Sequence, residues 1–75
     1  MENDELPPQV RLAIVQREIA EWKQLQYTME VRHRVNKRIG APQEALDAIA
    51  NELERCEKAL DVLREMEAQM QKEVT

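Results

Sequence analysis

Residues 37–42 of this 75-residue chain have the sequence KRIGAP, which places a sharp turn near the middle of the molecule. The only glycine, Gly40, suits the left-handed conformation that often ends a helix, and the Lys-Arg pair before it favours the negative end of the helix dipole. Pro42 is tolerated in the first turn of a following helix, where its missing N–H leaves no helical hydrogen bond unmade. The motif therefore predicts two helices joined by a turn at residues 39–41.

The segments on either side of this motif complete the prediction. Pro7 and Pro8 suit the first turn of a helix, and no helix breaker follows them before Gly40. Helices of about 30 residues, each about 45 Å long, joined by so short a turn must lie antiparallel. We therefore expect an all-α, antiparallel, coiled-coil-like two-helix hairpin. Its parts are a flexible acidic N-terminus at 1–6 and a hairpin at 7–75, with helix 1 at about 8–38 and helix 2 at about 42–72.

The two helices carry different apolar patterns. In the second helix, apolar residues recur at spacings of three and four and form one coiled-coil stripe, interrupted at Glu67. In the first helix they spread over a wider arc, which one neighbouring helix cannot cover. We therefore expect the hairpin to associate with copies of itself, as a four-helix bundle or larger homo-oligomer, or with a partner protein. The residues of the first helix expected at that interface are Ile14, Leu25, Val31, Val35 and Ile39.

Size and composition support association and argue against an enzyme. A core in so short a chain rarely supplies more than ~3–5 kcal/mol without a disulfide, a metal or oligomerisation. Cys56 is the only cysteine and His33 the only histidine, so neither a disulfide within the chain nor a structural metal site is expected. Both residues lie on apolar stripes, where a buried cysteine acts as a small hydrophobe and a polar residue fixes register. We predict no enzymatic activity, no metal and no cofactor.

Charge differs sharply between the two halves. Residues 7–40 hold seven Arg or Lys and three Glu, whereas residues 41–75 hold four Arg or Lys and nine Asp or Glu. The simplest explanation is mutual neutralisation across the hairpin, which helps to set its orientation. If the turn centres near Gly40, residue n lies opposite about 80 − n. This register places Trp22 near Ala59. It also brings two arginines of the first helix close to two acids of the second: Arg34, Arg38, Glu44 and Asp47.

A second interpretation of the basic residues is that they bind a ligand. On a helical wheel, an aromatic residue and four cations fall near one another on the outer side of the first helix, and arginine binds phosphate while an aromatic ring stacks on a base. Glu30 within the group and the acidity of the whole chain count against such a site. The candidate ligand-binding residues, for a signalling nucleotide or RNA, are Lys23, Tyr27, Arg34, Lys37 and Arg38.

The length, the hairpin layout and a cysteine on the apolar stripe resemble the small plasmid copy-number regulators that dimerise as paired helical hairpins and bind RNA. The size, acidity and helical content are also similar to those of phage-encoded inhibitors of host defence, some of which are oligomeric hairpins that hold nucleotide signals between subunits. No motif of either group aligns with this chain, so neither resemblance assigns a role to any of its residues.

From these features we expect a non-enzymatic, oligomeric hairpin that acts as a phage- or mobile-element-type inhibitor or adaptor of a host protein. The alternatives are a binder or sponge of an anionic ligand, nucleotide or RNA, and a purely structural coiled-coil spacer. The acidic N-terminus is unlike a signal peptide, and no apolar run approaches the length of a membrane span. We therefore expect a cytoplasmic protein that makes no membrane contact.

Overall fold

The fold is an antiparallel helical hairpin, seen here in a computed structural model that describes residues 6–74, with side chains up to residue 73. Helix α1 spans Pro8–Arg38 and helix α2 spans Gln43–Val74, and the two pack against each other along their length. No strand occurs within residues 6–74. The predicted all-α hairpin is therefore confirmed. The flexible N-terminus expected at 1–6 lies, except for Leu6, outside the described residues.

The turn between the helices is closed by backbone hydrogen bonds around Gly40. Its φ of 75° is the left-handed conformation expected from the sequence. The Gly40 N–H donates to the carbonyl of Lys37 at 3.4 Å, and the Ala41 N–H donates to the carbonyl of Asn36 at 2.9 Å. This pair of bonds is the Schellman arrangement, which satisfies carbonyls that the end of a helix leaves free. A Cβ at position 40 would meet nothing within 4 Å, so glycine is favoured here by backbone conformation alone.

Both helices begin immediately after a proline. The Pro7 carbonyl accepts hydrogen bonds from the N–H groups three and four residues later, at 3.0 and 3.1 Å, and the Pro42 carbonyl does the same at 3.0 and 3.3 Å. Pro42 therefore precedes α2 as its capping residue, one position earlier than the first-turn place expected from the sequence. The position suits proline because its carbonyl is used while its missing N–H lies outside the helix.

The core between the helices is thin. Only Val15, Cys56 and Leu60 are buried among the described residues, and the other apolar residues of the two stripes are half-buried. The molecule measures 51 × 22 × 15 Å, so nearly every side chain lies close to solvent. A core of this size stabilises a hairpin only weakly, which fits the expectation that further packing partners are needed.

Two contacts fix how the helices are aligned. Gln16 Nε2 donates to Glu67 Oε2 at 3.1 Å, so the acid that interrupts the α2 stripe is satisfied by α1. The Arg55 guanidinium lies 5.8 Å from the centroid of the Trp22 ring, a cation–π distance. The residue numbers of these pairs sum to values near 80, which agrees with the register expected from the turn.

These contacts also separate the two long edges of the hairpin. The Gln16–Glu67 bond lies on one edge, which we call the polar edge, and the Trp22–Arg55 contact lies on the other, which we call the apolar edge. In an antiparallel pair, residues at seven-residue intervals stay on one edge. The polar edge carries Gln16, Lys23, Glu30, Lys37, Gln43, Ala50, Glu57 and Arg64. The apolar edge carries Ile14, Leu25, Val35, Ile39, Ala45, Ala48, Ala59, Val62 and Met66, with charged residues between them: Arg11, Glu18, Glu21, Arg32, Glu52, Arg55 and Glu73.

Candidate functional site

A shallow depression of about 250 Å³ lies on the outer side of α1, away from α2. Its lining residues fall on three successive turns of the helix, at position 27, at 30 and 31, and at 34 and 35, so they share one side of α1. Tyr27 is the most open of them, with 68% of its surface exposed. We call this surface the outer face of α1; it consists of Tyr27, Glu30, Val31, Arg34 and Val35.

The structure brings together only part of the predicted ligand site. Tyr27 and Arg34 share the outer face. Lys37 instead lines a second depression, of about 290 Å³, at the turn end of the polar edge. There it lies beside His33 of α1 and residues of α2 that include Gln43 and Asp47. Lys23 and Arg38 are exposed and line neither depression.

The cations of α1 are not neutralised by α2. Within residues 6–74, no Arg or Lys of α1 forms an ion pair with an acid of α2, and Asp47 accepts a hydrogen bond from Gln43 Nε2 at 2.9 Å. The expected approach of Arg34 and Arg38 to the acids near the turn therefore yields no ion pair. Both arginines lie on the outer side of their helix, too far round to reach α2. The opposite charges of the two helices remain available to other molecules.

The ion pairs of Arg55 and Lys58 both lie within α2. Arg55 pairs with Glu52 at 3.1 Å and Lys58 with Glu54 at 3.7 Å, one turn apart in each case. These side chains are largely exposed, and such pairs contribute little to stability. They support the helix locally but do not hold the hairpin together.

The predicted interface residues divide into two groups. Ile14, Val31, Val35 and Ile39 are exposed, and Ile39 retains 71% of its surface. Leu25 is half-buried. It differs because it borders the groove between the helices, where α2 covers part of its side chain. The four exposed residues are thus uncovered apolar surface, as the wide arc of α1 led us to expect.

Sequence reasoning missed Val62, which is 56% exposed on α2. It lies two positions after Leu60, off the apolar stripe, and one turn before the exposed Met66. An apolar pair four residues apart and outside the main stripe was the available signal. Together with Ile14 it shows that the apolar edge has contributions from both helices.

His33 and Cys56, the two residues with catalytic chemistry, are placed differently. Cys56 is fully buried in the stripe, as expected for a small hydrophobe. His33 is half-buried and lines the second depression beside Lys37 and Asp47. Within the part of the chain that the structure describes, no three His, Cys, Asp or Glu side chains are grouped to hold a metal ion. Neither described helix contains a stretch that is long and apolar enough to span a bilayer.

The outer face offers groups that bind rather than react. It combines an aromatic ring, two valines and one cation, with Glu30 as the only acid. Comparison with known proteins gives no relative: no family model matches the chain, and no curated protein or solved structure matches it either.

Proposed function

We propose that this chain is a non-enzymatic, oligomeric helical-hairpin binding protein that acts by protein–protein interaction, as a phage- or mobile-element-type inhibitor or adaptor of a cytoplasmic host protein. The observation that carries the proposal is the exposed surface on the outer face of α1, where Tyr27 and Val31 lie in open contact with solvent. Tyrosine and arginine are among the residues enriched in the hot spots of protein interfaces. A monomer gains nothing from leaving them exposed.

The test asks whether mutation of the outer face abolishes the binding of one host protein. Tagged wild type and Val31→Glu are used to capture proteins from the host, with Gln24→Glu as the matched control because Gln24 is also exposed on the outer side of α1. We expect one host protein at near-stoichiometric yield with wild type and with the control, and at least tenfold less with Val31→Glu, since burying a charge in an apolar contact is costly. Calorimetry on the purified pair must reproduce the difference. Equal capture by all three variants would contradict the proposal.

A second candidate is an anion binder, and one observation favours it. Tyr27 and Arg34 share a depression, and Arg34 is free of ion pairs within the described residues. The ring could stack on a base while the guanidinium holds a phosphate. Glu30 in the same depression opposes this use, so we place it second.

The two functions are separated by salt dependence. An anion binder would take up RNA or a nucleotide with an affinity that falls as salt rises, because binding releases counterions. The double variant Arg34→Glu/Arg38→Glu would abolish that binding while circular dichroism still reports a helical protein. Native mass spectrometry of gently purified protein would show the nucleotide directly. We expect neither wild type nor the double variant to bind RNA or nucleotides at physiological salt.

A further inference from the structure

The apolar edge is an uncovered surface to which both helices contribute exposed apolar side chains. On α1 it presents Ile14, Val35 and Ile39, and on α2 it presents Val62 and Met66, all of them exposed. Leu25 lies half-buried between them, and small residues occupy much of the α2 side: Ala45, Ala48 and Ala59. The edge therefore has large side chains mainly on one helix and small ones mainly on the other.

The accessible surface of the chain indicates how much further packing it can accept. It amounts to 5731 Å² for a mass of 8.8 kDa. A compact monomer of that mass exposes about 4,800 Å², which is roughly 900 Å² less than the whole chain exposes with its terminal residues included. A standard protein interface removes about 800 Å² from each partner. One contact of ordinary size would thus bring the chain to the surface expected of a folded protein.

We propose that a second copy of this chain packs on the apolar edge, with the two turns at the same end, to form a four-helix bundle. Each α1 then lies between its own α2 and the α2 of the second copy, and a two-fold axis makes the same contact twice. This interface rests on the proposed function, which includes an oligomeric state, and it specifies the surface that forms the oligomer. It leaves Tyr27 and Val31 on the outside of the bundle.

The apolar residues match across this interface. With the turns level, α1 runs antiparallel to the α2 of the second copy, so residue n again lies opposite about 80 − n. Ile14 then meets Val62 and Met66 of the second copy. Leu25 meets Ala59, and Val35 meets the small residues near Ala45. Large side chains facing small ones are how helical layers interdigitate.

The charges on the edge match in the same arrangement. Arg11 lies within about one helical turn of Glu73 of the second copy, Glu21 within about one turn of Arg55, and Arg32 within about one turn of Glu52, whereas Glu18 lies level with Val62. Within residues 6–74, none of Arg11, Glu21, Arg32 and Glu73 forms an ion pair in the single hairpin. Charge complementarity of this kind selects partner and orientation more than it adds affinity.

The opposite orientation, with the turns at opposite ends, matches poorly. It levels the start of α1 with the start of the second copy's α2, because the helices begin at Pro8 and Gln43. Glu18 would then face Glu52, and Ile39 would face Glu73. The like charges of Glu18 and Glu52 disfavour that packing.

The test exchanges charges between the two sides of the interface. One variant carries Arg11→Glu and Arg32→Glu on α1, and the other carries Glu52→Arg and Glu73→Arg on α2. Each variant alone would place like charges together at both copies of the contact. Mixed one to one, they restore opposite charges throughout. Circular dichroism of each variant confirms that it still folds.

Native mass spectrometry and sedimentation give the readout. We expect wild type to be a dimer at micromolar concentration. Each variant alone should dimerise at least about tenfold more weakly, since several exposed ion pairs worth up to ~1 kcal/mol each become repulsive. The mixture should form the heterodimer with affinity close to that of wild type. A monomeric wild type, undiminished dimers of the single variants, or no recovery in the mixture would each overturn the proposal.

A further pair of variants separates this interface from the outer face. Val62→Asp should abolish the dimer, whereas Tyr27→Asp should leave it unchanged, because Tyr27 is not part of the apolar edge and lies about 80° around α1 from Val35. Loss of the host partner with Tyr27→Asp while the dimer persists would support both ideas, and retention of the partner would count against the proposed function alone. A dimer that survives Val62→Asp but not Tyr27→Asp would place the contact on the outer face instead and overturn the assignment.

Discussion

The two helices are nearly equal in length, with 31 and 32 residues, yet they use their surfaces differently. α2 concentrates its apolar residues in one stripe and carries most of the acids, whereas α1 spreads them over a wide arc and carries most of the cations. A helix with one stripe needs one neighbour, and a helix with a wide arc needs more than one. The difference indicates that α2 mainly builds the hairpin while α1 also presents surface to other molecules.

The largest expected effect contrasts a stripe residue of α2 with an exposed residue of α1. Leu60 is only 2% exposed, so Leu60→Ala should cost about 2–5 kcal/mol of unfolding free energy by removing buried contacts and leaving a cavity. Val31→Ala on the outer face should change stability by less than about 0.5 kcal/mol. Urea unfolding at a fixed protein concentration measures both. Similar losses in the two variants would break the distinction between the helices.

The next effect concerns the turn that joins the helices. Gly40→Ala should destabilise the hairpin by about 1–2 kcal/mol, because an L-residue with a Cβ is strained in the left-handed region. Gly40→Asn should cost less, since asparagine tolerates that conformation better. The order of the urea midpoints, wild type above Asn above Ala, is the measurement. Because a Cβ at this position would meet no atom within 4 Å beyond its own chain neighbours, crowding by other residues cannot produce the same order.

A smaller effect tests the hydrogen bond between the helices on the polar edge. Gln16→Ala removes the bond to Glu67 and should cost about 0.5–1.5 kcal/mol, the usual net contribution of such a bond. Gln24→Ala is the control, because Gln24 is exposed on α1 and its side chain forms no hydrogen bond within the described residues. Thermal melts followed by circular dichroism should separate the two variants. Coincident melts would mean that the bond does not persist in solution.

The smallest effect compares an arginine of each helix. Arg34→Ala should change stability by less than about 0.5 kcal/mol, since Arg34 forms no ion pair with α2 within the described residues. Arg55→Ala should cost about 0.5–1 kcal/mol, because Arg55 pairs with Glu52 and lies over Trp22. Chemical denaturation of the two variants side by side gives the ranking. The reverse ranking would mean that Arg34 of α1 makes stabilising contacts within the hairpin.

Much of the fold followed from the sequence because local rules decide it. Glycine is the residue type that adopts the left-handed conformation of the turn without strain, and Gly40 stands at that position. The three-and-four spacing of apolar residues in α2 indicates a helix with one apolar stripe. The candidate site was harder to predict, since the side chains that a neighbouring helix covers depend on how the two helices meet. The helical wheel grouped Lys37 with Arg34. In the structure, Lys37 instead lines the depression on the polar edge, beside residues of α2. Val62 was missed because its exposure depends on where α2 meets α1.

The register of the hairpin also determines how it should assemble from the unfolded chain. Partners near n and 80 − n are close in sequence beside Gly40 and far apart at the open end, so the entropy lost in closing the loop between them rises steadily away from the turn. Folding should therefore begin at the KRIGAP motif and proceed along both helices toward Pro8 and Val74. In the native state we expect stability against local opening to fall with distance from the turn, so amide hydrogen exchange should be fastest at the open end. In folding, Gly40 marks the place where the first contacts between the helices form.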